Sequence, residues 1–193
     1  MEERIRAIIR ESEELHGRIS ALAPRIGQAA ELVTGALSRG GKVMFAGNGG
    51  SASDAQHLAA EFVNRFQRER GPMAGLALTT DTSVLTSIAN DYSFEEIFSK
   101  QVSALGRQGD VLVGISTSGS SKNIVRALEE AKSMGIVTIG LTGEGGVIKD
   151  LADCAIAVPS GRTARVQEVH ILIGHILCEL VEEESLRGIS HQK

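Results

Sequence analysis

The sequence predicts an α/β fold, a three-layer sandwich in which helices cover both faces of a five-stranded parallel sheet. Two observations support this class. Short apolar segments alternate with helical segments along the chain, and the apolar segments are hydrophobic throughout instead of alternating with polar residues. Continuous hydrophobicity is typical of parallel strands buried on both faces, and the intervening helices supply the crossover connections that such strands need.

The first 38 residues are predicted to be helical and to precede the sheet. Isoleucine and leucine recur at steps of three and four over residues 3–38, which is the period of one helix face. Pro24 is expected to divide this segment into two helices, since proline cannot donate the backbone hydrogen bond of a continuing helix. With no linker long enough to separate domains, we expect one domain over 1–193, in which 1–38 is a helical oligomerisation segment.

Five strands and the helices between them follow. The predicted strands are 43–46, 74–78, 111–115, 137–141 and 154–158, and the predicted helices are 53–67, 84–89, 94–105 and 122–134. A last long helix is expected from about 163 to 184, and it is apolar nearly all round. Such a helix is expected to be buried on two sides.

Composition argues against several classes of protein. The net charge of −4 and the lack of tryptophan give no basic field or stacking platform, so direct nucleic-acid binding is not expected. No apolar run approaches the ~20 residues that span a bilayer, and the charged N-terminus is unlike a signal peptide. We therefore expect a cytoplasmic protein without membrane contact. Cys154 and Cys178 lie in apolar segments without zinc-finger spacing and are predicted to be buried free thiols.

Two loops rich in glycine and serine follow predicted strands. The first, at 47–53, reads Gly-Asn-Gly-Gly-Ser-Ala-Ser, and the second, at 116–121, reads Ser-Thr-Ser-Gly-Ser-Ser. Each leads into a helix, whose free N–H groups and positive end favour an anion. Ligands also collect at the carboxyl ends of parallel strands. Hydroxyl and amide donors without a lysine suit the phosphate of a phosphorylated sugar.

Other interpretations of the first loop stay open. It matches a loose dinucleotide fingerprint, but the acidic residue that binds the ribose is expected about 20 residues later, and the nearest acid at a strand end is Asp81. A Walker-type loop would need Gly-Lys followed by Ser or Thr, which is lacking. A tight glycine turn with an N-cap serine is the plainest alternative.

His57 and Glu61 lie four residues apart on the helix after the first loop, so they share one face with Cβ atoms about 5–6 Å apart. That face is opposite the apolar stripe of the helix. A solvated polar face is the simple interpretation, and a metal or substrate site is the other if a second element covers it. The last helix could do so through His175 and Gln167, although a histidine on an apolar helix is more often a core residue.

Taken together, the motifs resemble the sugar isomerase (SIS) domain family from residue 3 to about 184. The segments that carry the resemblance are 46–51, 54–61, 78–83, 89–91, 109–112, 115–119 and 165–175. The resemblance implies a flavodoxin-like fold, a homotetramer and bound zinc. It also implies isomerisation of D-sedoheptulose 7-phosphate to D-glycero-D-manno-heptose 7-phosphate through an enediol, for heptose and lipopolysaccharide synthesis.

The resemblance further implies roles for individual residues. Those expected to bind the substrate are Asn48, Gly49, Gly50, Ser51, Asn90, Asp91, Ser116, Thr117, Ser118, Ser121 and Gln167, with the serines of the second loop and Thr117 on the phosphate. Those expected to bind the metal are His57, Glu61, Gln167 and His175. Glu61 and His175 are also the expected acid–base pair.

The reaction is consistent with these side chains. Moving a proton between two carbons through an enediol requires a base at carbon, a proton relay between oxygens and an electrophile. A desolvated Glu61 suits the base, His175 suits the relay, and zinc would polarise the carbonyl. The N-terminal and last helices carry more apolar surface than one sheet face covers, which predicts a homotetramer with active sites at subunit boundaries.

A function of another class stays open at this point. The same motifs also resemble a SIS-domain adaptor that binds the bacterial replication initiator and turns over no sugar. Retention of each metal-binding and acid–base residue favours the enzyme.

Overall fold

The computed structural model describes the backbone of residues 1–190 and the side chains of residues 1–187. Its helices are α1 (Glu2–Arg18), α2 (Ala23–Ser38), α3 (Gly50–Val63), α4 (Thr82–Asp91), α5 (Ser99–Leu105), α6 (Lys122–Ser133), α7 (Ile148–Leu151) and α8 (Thr163–Ser190). Its strands are β1 (Val43–Gly47), β2 (Gly75–Ala77), β3 (Val111–Ser116), β4 (Val137–Thr142) and β5 (Cys154–Ala157). Short 3₁₀ turns lie at Ile19–Leu22 and Phe94–Glu96.

The five strands form one parallel sheet in the order β2-β1-β3-β4-β5. This confirms the predicted fold class. The chain runs outward from β1 to β2 and then returns to place β3 on the other side of β1. That reversal between β1 and β3 is the position at which ligands bind in open parallel sheets.

Two separate cores lie on the two faces of the sheet. Along β1, Val43 and Phe45 pack into a core with α2, α3 and α8, whereas Met44 and Ala46 pack into a core with α5, α6 and α7. Successive residues of a strand point to opposite faces, and here both sets are apolar and buried. This explains why the strands read as continuously hydrophobic.

The N-terminal segment is divided into two helices next to Pro24, as predicted. The 3₁₀ turn ends at Leu22, and Pro24 is the second residue of α2, where its missing N–H costs nothing. Helix α1 packs through buried Leu15, but Ile5 and Ile9 remain 49% and 51% exposed. The first half of α1 therefore presents apolar surface that the single chain does not cover.

Several element boundaries differ from the predictions. Helix α3 spans Gly50–Val63 and not 53–67, because the chain leaves the helix at Asn64 for a loop anchored by Glu182. Asp81 caps α4 by accepting the N–H of Val84 at 2.9 Å, so it is a capping residue at a helix start. The short α7 was not predicted.

Helix α8 continues past the expected end at 184. The predicted single domain over 1–193 includes residues 191–193, which lie outside the described residues, and that assignment remains a prediction. Within the described part of the chain, no helix is long and apolar enough to cross a bilayer.

Candidate active site

The two glycine- and serine-rich loops meet at the carboxyl ends of neighbouring strands. Gly47 at the end of β1 is paired with Ile115 near the end of β3. Beyond the strands, Asn48 and Asn123 exchange two side-chain hydrogen bonds, in which the Nδ2 of each donates to the Oδ1 of the other at 2.9 and 2.8 Å. The pair joins the first loop to the start of α6.

The first loop folds tightly into the start of α3. A Cβ at Gly47 would lie 2.4 Å from the carbonyl oxygen of Ser51, and Gly49 has a φ of +56°. Both positions therefore require glycine. The turn carries the chain directly from β1 into α3, whose first turn holds the buried Ser51. Free backbone N–H groups at this helix start are suited to an anion.

Three hydroxyl groups cluster on the second loop. Ser116 Oγ lies 2.9 Å from Ser121 Oγ and 3.3 Å from Ser118 Oγ. The loop turns at Gly119, with a φ of +66°, and packs there against the backbone of Gly145. Because Ser121 is the N-cap position of α6, the hydroxyls lie at the positive end of that helix, where a phosphate would be favoured.

The predicted acid–base and metal residues meet where α3 contacts α8. His57 Nε2 lies 2.9 Å from His175 Nε2, and Glu61 Oε1 lies 3.7 Å from the same nitrogen of His57. The side chains of His57 and Glu61 are 48% and 22% exposed. Helix α8 thus supplies the element that partly covers the polar face of α3, and His175 is only partly buried there, beside His57.

Gln167 contacts the first turn of α3. The close approach is possible because residue 50 is glycine, where a Cβ would overlap Gln167 Nε2 at 1.7 Å. Asp54, one turn further along α3, has a buried Oδ2 atom with no hydrogen-bond partner in the described structure. Burial raises the pKa of Asp54, although His57 and a hydrogen bond from Gln167 act to lower it. These contacts place Gln167 at the same junction as His57.

Other histidines and predicted residues lie apart from this junction. Asn90 and Asp91 are exposed at the end of α4, and the amide of Asn90 donates to Asp91 at 2.8 Å. Their predicted contact with the sugar stays a prediction. His170 is buried, with Nε2 3.1 Å from the carbonyl oxygen of Thr142, and burial lowers its pKa to about 4. It is therefore a neutral core residue.

The junction matches zinc in the chemistry of its donors. Two facing imidazole nitrogens, a carboxylate and an amide oxygen are ligand types that zinc accepts, the first three commonly. Among the described residues, however, no three His, Cys, Asp or Glu side chains converge into a complete metal site. The structure thus brings together a pair of nitrogen donors with an adjacent carboxylate, and zinc remains a proposal.

Sequence reasoning missed three residues at this site. Asp54 precedes His57 by three positions and shares its helix face, a spacing that could have been noticed. Asn123, the partner of Asn48, and Phe66, whose ring stacks on His175 at a centroid distance of 5.4 Å, gave no sequence signal. Their contacts depend on how separate elements pack.

Sequence comparison decides the family. The model of the SIS domain matches residues 9–143. The chain belongs to the SIS-domain family. Among its relatives, the phosphoheptose isomerase of Rhodospirillum rubrum is 53% identical over 184 residues, which cover 95% of this chain and 98% of the relative. The phosphoheptose isomerase of Nitratidesulfovibrio vulgaris Hildenborough is 60% identical over 163 residues, covering 81% and 78%. Within the SIS-domain family, the chain belongs to the phosphoheptose isomerases.

Solved structures agree with this assignment. The phosphoheptose isomerase of Neisseria gonorrhoeae superimposes with a TM-score of 0.89 at 46% identity, over 94% of this chain and 98% of that one. The enzyme from Francisella tularensis gives 0.91 at 40% identity, over 94% and 97%. The SIS-domain chain described here is therefore an enzyme of the aldose–ketose isomerase class, and the alternative of a non-catalytic adaptor is set aside.

Proposed function

We propose that this chain isomerises D-sedoheptulose 7-phosphate to D-glycero-D-manno-heptose 7-phosphate with Glu61 and His175 as the acid–base pair. The residue assignment rests on the contact between His57 and His175. This contact brings together titratable side chains of α3 and α8 beside the two glycine- and serine-rich loops. A phosphorylated sugar is the ligand for which such loops and side chains are suited. The product would enter heptose synthesis for lipopolysaccharide, and we place the reaction in the cytoplasm.

In the proposed reaction, Glu61 removes the proton from C1 of the ketose. Electrons from that C–H bond form the C1–C2 double bond of the enediol, and the C2 carbonyl oxygen receives a proton from His175. His175 then takes the proton of the C1 hydroxyl as the C1 carbonyl forms. Glu61 returns its proton to C2, which completes the aldose and restores both side chains.

Substrate orientation is assigned to the two loops. Ser116, Ser118 and Ser121, with Thr117, are proposed to hold the phosphate, and Asn48, Gly49, Gly50 and Ser51 to line the sugar beside the first loop. Anchoring the phosphate far from the reacting carbons would fix C1 and C2 near the acid–base pair, which lowers the entropic part of the barrier. Asn90 and Asp91 are proposed to contact the sugar hydroxyls.

Zinc is proposed to bind at His57, Glu61, Gln167 and His175. When bound, it would polarise the oxygens at C1 and C2 and stabilise negative charge on them. Gln167 is a neutral ligand, so we expect the ion to be exchangeable. Metal analysis of the purified protein and of His57→Ala tests this assignment independently of turnover. Equal zinc content in both proteins would contradict it.

We also propose a homotetramer with active sites at subunit boundaries. Support comes from the exposed Ile5 and Ile9 of α1 and the half-exposed His57, since acid–base chemistry favours a site shielded from water. Sedimentation should give four chains per particle.

Mixed oligomers test whether one site draws on two chains. A chain carrying Ser118→Ala and Ser121→Ala, mixed with a chain carrying His175→Gln, should regain activity if the serines and His175 of one site come from different chains. A fully active monomer would overturn the proposal.

The decisive experiment measures turnover directly. Glu61→Gln and His175→Gln should each lower kcat on D-sedoheptulose 7-phosphate by about 10²–10⁴-fold, as expected for a lost acid–base group. Glu61→Gln should also stop exchange of deuterium from D₂O into carbon. Glu179→Gln, an exposed change on α8, is the matched control and should keep the rate. Normal turnover in either Glu61→Gln or His175→Gln would mean that the acid–base pair lies elsewhere.

A further inference from the structure

Glu182 anchors the loop that follows α3. This residue of α8 is 2% exposed, and its carboxylate accepts three consecutive backbone N–H groups. They come from Phe66 at 2.9 Å, Gln67 at 2.9 Å and Arg68 at 2.7 Å. A buried carboxylate is stable only when such donors compensate its lost hydration. The single side chain of Glu182 therefore fixes this loop to α8.

Arg70 continues the same connection to the end of α3. Its side chain is 1% exposed, and Nε lies 3.2 Å from Glu182 Oε2. The other guanidinium nitrogens donate to the carbonyl oxygens of Glu61 at 2.7 Å and Phe62 at 3.0 Å. These are carbonyls of the last helical turn, which lack partners within the helix and favour a positive charge. Arg70 therefore holds the backbone of the helix at Glu61 itself.

Phe66 carries the connection to the other member of the acid–base pair. Its ring stacks on the ring of His175 with a centroid distance of 5.4 Å and an interplanar angle of 24°. The N–H of the same residue is bound by Glu182. The second ring in contact with His175 is that of His57, at 5.1 Å. His175 is thus placed between α3 and a loop whose position depends on Glu182.

We propose that the buried Arg70–Glu182 pair positions both Glu61 and His175 for proton transfer. It acts on Glu61 through the capped carbonyl and on His175 through Phe66. Neither Arg70 nor Glu182 touches substrate in this scheme, so both are positioning residues. This inference rests on the proposed roles of Glu61 and His175. It adds that their relative placement depends on one ion pair outside the substrate loops.

The test compares three variants with the unmodified chain. Glu182→Gln removes the charge, and Phe66→Leu removes the stacked ring while keeping an apolar side chain. Asp110→Asn is the matched control, since Asp110 is also buried, pairs with Lys42 and accepts the backbone N–H groups of Lys42 and Arg107. It lies just before β3, at the opposite end of the sheet from the loops.

We expect kcat to fall about 10- to 100-fold in Glu182→Gln and in Phe66→Leu, because small displacements of reacting groups have effects of this size. KM should change little, since the substrate loops are untouched. Asp110→Asn should keep kcat per folded molecule. In NMR spectra of ¹⁵N-histidine protein, the ring signals of His175 should move in the first two variants and stay unchanged in Asp110→Asn.

Phe66→Leu decides the matter if Glu182→Gln does not fold. Unchanged kcat and unchanged His175 signals in Phe66→Leu, or losses equal to those of Asp110→Asn, would overturn the positioning role. Failure of the proposed function itself looks different. If the proposed function is wrong, Glu61→Gln and His175→Gln keep their rates. If only the positioning role is wrong, those two variants lose activity, whereas Glu182→Gln and Phe66→Leu have no effect.

Discussion

Gly174 on α8 lies directly against Leu58 on α3. A Cβ added at residue 174 would come within 2.5 Å of Leu58 Cδ2 and 2.7 Å of Cδ1. Both residues are buried, and each is one position from a histidine of the facing pair, His175 and His57. The distance between the two helices at the site is therefore set by the absence of a side chain at residue 174.

Gly174→Ala is expected to separate α3 from α8. Overpacking of a buried contact costs about 1–3 kcal/mol, so the free energy of unfolding should fall by that amount in urea titrations, and kcat should fall with it. Gly17→Ala is the control, because a Cβ at residue 17 of α1 meets no atom within 4 Å. Unchanged stability and unchanged kcat in Gly174→Ala would show that the helices accommodate the methyl group.

Loss of the loop hydroxyls should weaken phosphate binding selectively. Ser118→Ala and Ser121→Ala should each raise the Kd of a phosphorylated sugar about 10-fold or more, since hydrogen bonds to a charged group contribute about 1.5–3 kcal/mol. The dephosphorylated sugar should bind as before. Ser120→Ala is the control, because Ser120 is exposed and lies outside the cluster of three hydroxyls. Equal weakening of both ligands in calorimetry would rule out the assignment of these serines.

Asp110 is expected to contribute stability that depends on pH. Burial acts to raise its pKa, but hydrogen bonds from the side chain and backbone of Lys42 and from the backbone of Arg107 hold the pKa below its ordinary value of 3.8. Because the folded form has the lower pKa, this stability is present above 3.8 and lost as pH falls through the folded value.

Urea titrations from about pH 7 to pH 3 check this contribution. Asp110→Asn should lower the free energy of unfolding at neutral pH by about 1–3 kcal/mol. The difference between the variant and the unmodified chain should shrink towards low pH. A difference that is constant across the range would contradict the lowered pKa.

Both cysteines are expected to be unreactive in the folded protein. Burial raises the pKa of Cys154, and burial together with the nearby charges of Glu61 and Glu182 raises the pKa of Cys178 to about 12. Because the thiolate is the reactive form, a thiol reagent should modify neither residue until urea unfolds the chain. Rapid modification of Cys178 in the native protein would show that α8 leaves its packed position readily.

Much of the fold could be predicted because the strands are buried on both faces. Continuous apolar segments identified β1, β3, β4 and β5 to within one residue at each end, and β2 was predicted two residues too long. The four-residue α7 is too short to show a helical period, so it could not be recognised. The early end of α3 was also hidden, since the contact that fixes the following loop comes from Glu182, far along the chain.

The arrangement of the candidate site was likewise predictable only where it depends on local sequence. Loop residues and the pair His57 and Glu61 were predictable because their spacing is local, and Gly-rich sequence marks a turn at which backbone approaches closely. Which helix would cover that face could only be suggested from the apolar character of α8. The packing of Phe66 on His175, and of Gln167 on Gly50, depends on tertiary contacts that no local pattern encodes.

Asn48 and Asn123 form a single unit from the standpoint of evolution and design. Each amide is both donor and acceptor for the other, so a change at either residue alone leaves a polar group without its complement at the junction of two loops. A carboxylate at residue 48 would set an oxygen against the Oδ1 of Asn123. We therefore expect the two positions to change together among homologues, and a library that varies them jointly should recover stably folded pairs that no single substitution reaches.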